Sequence, residues 1–192
     1  HLGVQLAQFI RQGKLVIGIC NGFQVLVKSG VLPGPTTMVE RIAQDSTQKS
    51  TLTFNDSGKF EDRWTFLRVS GKSPWTQDLP EVVYYPVAHA EGKFIPNNKS
   101  LLSRLEGNGQ VAFRYCTRHG GKPKYPLNPN GSFDDIAGIT DHTGRILGMM
   151  PHPERHFFFY NHPQWTRLRK RDEYGDGAQI FKNGVEFAKK NL

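Results

Sequence analysis

The chain has 192 residues, 37% of them apolar and 22% charged, with 20 Gly and 12 Pro, which describes one turn-rich globular domain and excludes a coiled coil or a disordered tail. Its net charge of +8 permits an anionic partner without requiring one, and no zinc-finger spacing or aromatic–basic repeat supports nucleic-acid binding. Two cysteines, Cys20 and Cys116, cannot build a disulfide framework, and no apolar run approaches the roughly 18 residues of a membrane helix, so a cytoplasmic protein of a reducing compartment is expected.

Leu2, Leu6, Phe9 and Ile10 recur at helical spacing, and Gly13 is placed to stop that helix. No strand precedes it, although open α/β sheets begin with one. The expectation is therefore a single domain over residues 1–192 that is incomplete at its N-terminus. Residues 14–20 form a short, continuously apolar segment that predicts a buried strand. A helix over 21–30 follows without a linker, with Phe23, Leu26 and Val27 inward and Gly30 at its end. Strands are predicted over 51–55, 64–69, 82–85 and 110–115, separated by Gly, Pro, Asn and Asp. Residues 126–132 read as a loop. Two further strands over 136–140 and 145–150 flank a turn, and a closing helix over 178–190 should bury Ile180, Phe181, Val185 and Ala188. This order predicts a three-layer α/β fold: an open, mostly parallel sheet with helices on both faces.

Cys20 ends the first strand, between Gly18 and Gly22, with a helix beginning at once. A tight strand-to-helix turn of this kind presents a nucleophile above a sheet, and the small neighbours let strand and helix approach. The helix start directs free N–H groups at the sulfur, favouring thiolate and able to hold an oxyanion. The same pattern also fits a small buried cysteine with no chemistry. Cys116 ends a predicted strand with no comparable setting and reads as structural.

A thiol nucleophile needs a base, and His152 stands just beyond the strand over 145–150, between Pro151 and Pro153. In an extended stretch, positions two apart face the same way, so Glu154 can hold the imidazole tautomer and stabilise its charged form. Both strands could end at the carboxyl edge of one parallel sheet, where open α/β folds place ligands.

The sequence resembles the class I, triad-type glutamine amidotransferases, and within them the glutaminase branch of the phosphoribosylformylglycinamidine synthases. The blocks that carry this are Gly18-Ile-Cys-Asn-Gly-Phe-Gln24, Leu32-Pro-Gly34, Phe60-Glu-Asp-Arg-Trp64, Pro86-Val-Ala-His-Ala-Glu-Gly92, Asn128-Pro-Asn-Gly-Ser132 and Gly148-Met-Met-Pro-His-Pro-Glu-Arg155. They run in the family's order as far as Arg155. The resemblance implies a flavodoxin-like fold, Cys20 as nucleophile, His152 as general acid/base and Glu154 as its orienting partner. It also implies that Gln24 lies at the bound glutamine and that the Asn21 backbone supplies one oxyanion donor. An initial Gly-rich loop, outside this sequence, would supply its companion. A chain truly starting at His1 is expected to fold poorly or to show little glutaminase activity.

The implied reaction is hydrolysis of L-glutamine through a γ-glutamyl thioester. Its ammonia would go to a synthetase that amidates formylglycinamide ribonucleotide with ATP and magnesium, possibly beside a small accessory subunit. This chain has no Gly-x-x-x-x-Gly-Lys phosphate loop and no zinc spacing, so no metal is expected in it. Two departures stand out. Ala90 replaces a more usual Gly, which alters a loop detail, and Asp62 replaces a frequent Cys. His89 and Glu91 fit a loop or a subunit contact as well as a site. The stretch 157–160 with Trp165 and the basic run 167–171 is either a docking face or terminal packing and solvated charge. Two other classes remain open: a related cysteine hydrolase acting on another amide, and a non-catalytic interaction subunit.

Overall fold

A computed structural model describes residues 3–35, 49–70, 73–169 and 173–191. Eight strands and four α-helices are present among the described residues. The strands are β1 (Val16–Ile19), β2 (Ser50–Thr53), β3 (Glu61–Val69), β4 (Val82–His89), β5 (Lys93–Pro96), β6 (Val111–Cys116), β7 (Ile136–Thr140) and β8 (Ile146–Met149). The helices are α1 (Gly3–Arg11), α2 (Asn21–Lys28), α3 (Lys99–Gly107) and α4 (Ala178–Asn191). Six strands form one sheet in the order β1-β8-β7-β6-β3-β4, and β2 pairs with β5 in a separate ribbon.

The expected α/β layering is present, but the sheet is mixed. Only β1 and β8 run parallel; β8–β7, β7–β6, β6–β3 and β3–β4 are antiparallel. Short connections explain the difference. The turn between β7 and β8 is closed by Asp141, whose carboxylate accepts from the Thr143 and Ile146 N–H groups, and such a tight turn can join only antiparallel strands.

Side chains alternate across this sheet into two apolar layers. One holds Phe23, Leu26 and Val27 of α2 with Leu101 and Leu105 of α3, packed on Val111, Ile136, Ile139 and Ile146. The other holds Ile180 of α4 with Trp75, Leu67, Tyr85, Val87, Leu147 and Met149. Helices thus cover both faces, and a fully buried Phe or Leu contributes about 1.5–3 kcal/mol. The closing helix buries Ala178, Ile180, Asn183 and Gly184, whereas Val185 is 53% exposed, contrary to the amphipathic reading. Gly184 meets the Trp75 ring, and Asn183 donates to the Trp75 and Gln77 carbonyls, so a polar residue takes an expected apolar place.

Candidate active site

Parallel pairing of β1 with β8 sets Ile19 opposite Met149, so the residues leaving these strands emerge side by side. Cys20 is the first of them. Its N–H donates to the Met149 carbonyl at 2.8 Å, and its backbone turns to φ 52°, ψ −107° before α2 begins. A non-glycine residue there is strained by about 1–3 kcal/mol, which nearby packing must hold. Gly18 shows how: a Cβ on it would lie 2.7 Å from the Gly22 backbone and 2.5 Å from the Leu26 side chain. Strand and helix touch at this glycine. Gly22 differs from expectation, because a Cβ there would meet nothing within 4 Å. The Cys20 thiol is partly buried and contacts the Ala88 carbonyl at 3.7 Å.

His152 is three residues beyond Met149, anchored by its N–H to the Pro86 carbonyl at 2.8 Å. Its Nδ1 meets Glu154 Oε1 at 2.5 Å. The chain here is not extended: Pro153–His156 is a 3₁₀ turn, and it brings Glu154 back to the Nδ1 edge of the ring. Burial disfavours charge on His152, but the neighbouring Cys20 side chain and Glu154 outweigh it and hold its pKa up to about 9. His152 Nε2 is buried and has no hydrogen-bond partner among the described residues. With Nδ1 engaged by the carboxylate, Nε2 is the nitrogen free to exchange a proton with a bound molecule.

Asn21 opens α2, where N–H groups have no intrahelical acceptor, and its side chain is exposed. Gln24, one turn later, donates from Nε2 to the Glu91 carbonyl at 2.7 Å. Asn21, Gln24 and Glu91 line a cleft of about 380 Å³. That cleft includes Asn21 and Gln24 but not Cys20, His152 or Glu154, which stand just beyond the paired ends of β1 and β8; the segment 88–92 meets Cys20 through the Ala88 carbonyl and Gln24 through the Glu91 carbonyl. A larger cleft of about 600 Å³, lined by His156, His162, Arg169 and Tyr174, contains none of the five.

The support behind this edge was not legible residue by residue. Asn55 Nδ2 donates to the Lys59 and His89 carbonyls at 2.9 and 2.8 Å, its Oδ1 accepts from Gly92 N–H at 3.1 Å, and its own N–H reaches the Ala90 carbonyl. Asn130, fully buried, donates to the Gly92 carbonyl and the Tyr115 hydroxyl. Burial pushes the Tyr115 phenol far up, and Cys20 adds to this. The signal for Asn130 was its place in the Asn-Pro-Asn-Gly-Ser block; Asn55 gave none.

Ala90 is exposed and is not among the residues with positive φ, so Ala is accommodated without strain. Asp62 is exposed on β3. Cys116 is buried at the end of β6, and burial pushes its thiol up, in keeping with a structural role. His89 is buried, and its ring contacts the loop residues Asn55 and Gly92. Phe157, Phe158 and Phe159 are half-buried, whereas Tyr160 and Trp165 are 57% and 48% exposed, so the aromatic stretch is divided between packing and surface. Arg167 and Arg169 are exposed, and the rest of that basic run lies outside the described residues.

Comparison with known proteins gives a consistent result. The family described as CobB/CobQ-like glutamine amidotransferase domain matches residues 1–188. The chain is 45% identical to the phosphoribosylformylglycinamidine synthase subunit PurQ of Dehalococcoides mccartyi, over 98% of this chain and 69% of that protein. It is 44% identical to the PurQ subunit of Archaeoglobus fulgidus, over 96% of this chain and 67% of that protein. Among solved structures it is similar to PurLQS from Thermotoga maritima, with a TM-score of 0.68 and 26% identity, covering 97% of this chain and 68% of that one.

Proposed function

Because the chain belongs to the CobB/CobQ-like glutamine amidotransferase family, we propose that it is the glutaminase component of a phosphoribosylformylglycinamidine synthase, releasing ammonia from L-glutamine for purine biosynthesis. The observation that carries this is the sulfur of a strained strand-to-helix turn standing beside an imidazole whose other nitrogen is 2.5 Å from a carboxylate.

In this reading the Cys20 thiolate attacks the side-chain amide carbon of glutamine, beside the protonated His152. N–H groups at the start of α2, Asn21 among them, face the developing oxyanion. His152 Nε2–H protonates the departing nitrogen as the C–N bond breaks, leaving a γ-glutamyl thioester and ammonia. Nε2 then takes a proton from water, whose oxygen attacks the thioester. Glutamate leaves and the thiolate returns. Glu154 holds Nδ1–H throughout, so the ring presents one nitrogen to both steps. Gln24 and Asn21 border the cleft that would take the amino-acid end of glutamine.

Ammonia must be delivered before it is protonated and lost, which calls for a docked synthetase. That partner would bind formylglycinamide ribonucleotide, ATP and magnesium, and a small accessory subunit fits the same assembly. A cytoplasmic location fits it too, and no helix among the described residues is long and apolar enough to cross a membrane.

The test is trapping with an electrophilic glutamine analogue in the presence of the synthetase, followed by peptide mass spectrometry. Label on Cys20 is expected; label elsewhere, or none in an intact complex, overturns the proposal. Cys20→Ser should abolish glutamine-driven product formation and leave ammonia-driven formation intact. If both pathways survive, Cys20 is structural.

A further inference from the structure

His89 ends β4 beside the site, 4% exposed, and the reaction described above does not use it. Its environment fixes which of its nitrogens carries the proton. Asn55 Nδ2 already donates to two carbonyls, so the Asn55 oxygen must be the atom facing His89 Nδ1 at 3.1 Å. That oxygen also accepts from Gly92 N–H. His89 Nδ1 therefore donates, and Nε2 is left as a bare acceptor. Nε2 is buried and has no partner among the described residues. The ring cannot swing away freely, because a Cβ on Gly92 would lie 2.4 Å from it, so chain and imidazole are already in contact.

Burial pushes the His89 pKa down to about 4, and charge on nearby His152 lowers it further, so the ring is neutral near pH 7. The preceding residue, Ala88, offers its carbonyl to the Cys20 sulfur. An acceptor with a fixed tautomer thus lies one residue beyond the carbonyl that meets the Cys20 sulfur, close enough to His152 to feel its charge. A buried acceptor without a partner is destabilising, and a ligand N–H would relieve that cost.

We propose that His89 Nε2 accepts a hydrogen bond from the carboxamide NH₂ of the bound glutamine and from the ammonia it becomes. The inference rests on the glutaminase reading. An oxyanion or a carboxylate oxygen would meet the Nε2 lone pair and be repelled. The carboxamide is therefore oriented with nitrogen toward His89 and His152 and oxygen toward the start of α2. His89 takes no proton. It holds the leaving nitrogen in line to receive one from His152, and it disfavours the product glutamate in the same place.

The test compares two substrates with the same acyl group, assayed with the full chain in complex with its synthetase: glutamine, and the γ-methyl ester of glutamate, whose leaving methanol carries no N–H. His89→Asn keeps a donor for Asn55 but loses the acceptor at Nε2. It should lower kcat/KM for glutamine by about tenfold to a hundredfold, the equivalent of losing one buried hydrogen bond, and leave the ester nearly unchanged. His89→Gln can set its oxygen where Nε2 stood and should keep the amide-to-ester ratio close to wild type, which carries the test if the Asn variant does not fold. Equal slowing of both substrates in either variant, or full glutamine turnover in His89→Asn, overturns the inference. A wild-type complex that turns over neither substrate overturns the glutaminase reading and this inference with it.

Discussion

Replacing Glu154 by Gln tests how the carboxylate acts on the imidazole. His152 is raised from 6.5 to about 9 against the opposing effect of its own burial, and that difference is worth roughly 3 kcal/mol in favour of the protonated ring. Two groups supply it, Cys20 and Glu154. A charge-assisted hydrogen bond contributes about 1.5–3 kcal/mol, and because Glu154 is 42% exposed, solvent screening reduces its share to about 1–2 kcal/mol. Glu154→Gln should therefore lower the His152 midpoint by about one pH unit. NMR titration of the ring protons measures this directly. The sign for stability follows from a folded pKa above the unfolded one. The contribution is complete below 6.5 and disappears as pH rises through about 9, so the variant should lose stability relative to wild type at pH 6 and converge with it above pH 9. A His152 midpoint that stays near 9 in Glu154→Gln would refute the assignment of the carboxylate as the supporting group.

Three other outcomes follow from the packing. Gly18→Ala places a Cβ against the Gly22 backbone and should cost about 1–3 kcal/mol in chemical denaturation, where an unchanged midpoint would remove the close strand–helix contact from the account. Cys20→Gly should be about 1 kcal/mol more stable than Cys20→Ala, because only the former relaxes φ 52°, and equal stabilities would show that the turn stores no strain. A small alkylating agent followed by mass mapping should modify Cys20 well before Cys116, which is buried with its thiol pushed up; equal rates would contradict that burial.

Local physics made the early part of the fold readable. An apolar strand, a cysteine and an amphipathic helix follow one another directly, and β1 and α2 fall inside the predicted ranges, with Phe23, Leu26 and Val27 buried as expected. The strand over 136–140 is observed with the same limits. Pairing was much less visible, because one hydrophobic pattern serves parallel and antiparallel neighbours alike. β5 was missed since Lys93–Pro96 is only four residues and ends in proline. α3 was missed despite its signal, Asn98 capping the Leu101 N–H at 2.7 Å just before a run of leucines. At the site, His152 and Glu154 were legible as a pair, but the 3₁₀ turn that joins them was not. The Asn55–His89 contact spans 34 residues and depends on the fold alone.

The rung between Cys20 N–H and the Met149 carbonyl ties the sulfur-bearing turn to the strand that leads to the imidazole. Motions of the outer loops therefore carry both groups together and change their separation little. The crossing segment from Ala88 to Gly92 is different: side chains from three distant stretches, Gln24, Asn55 and Asn130, pin it from outside the central sheet. A subunit pressing on this domain from that side would meet the crossing segment first, while the turn that carries Cys20 stays tied to β8.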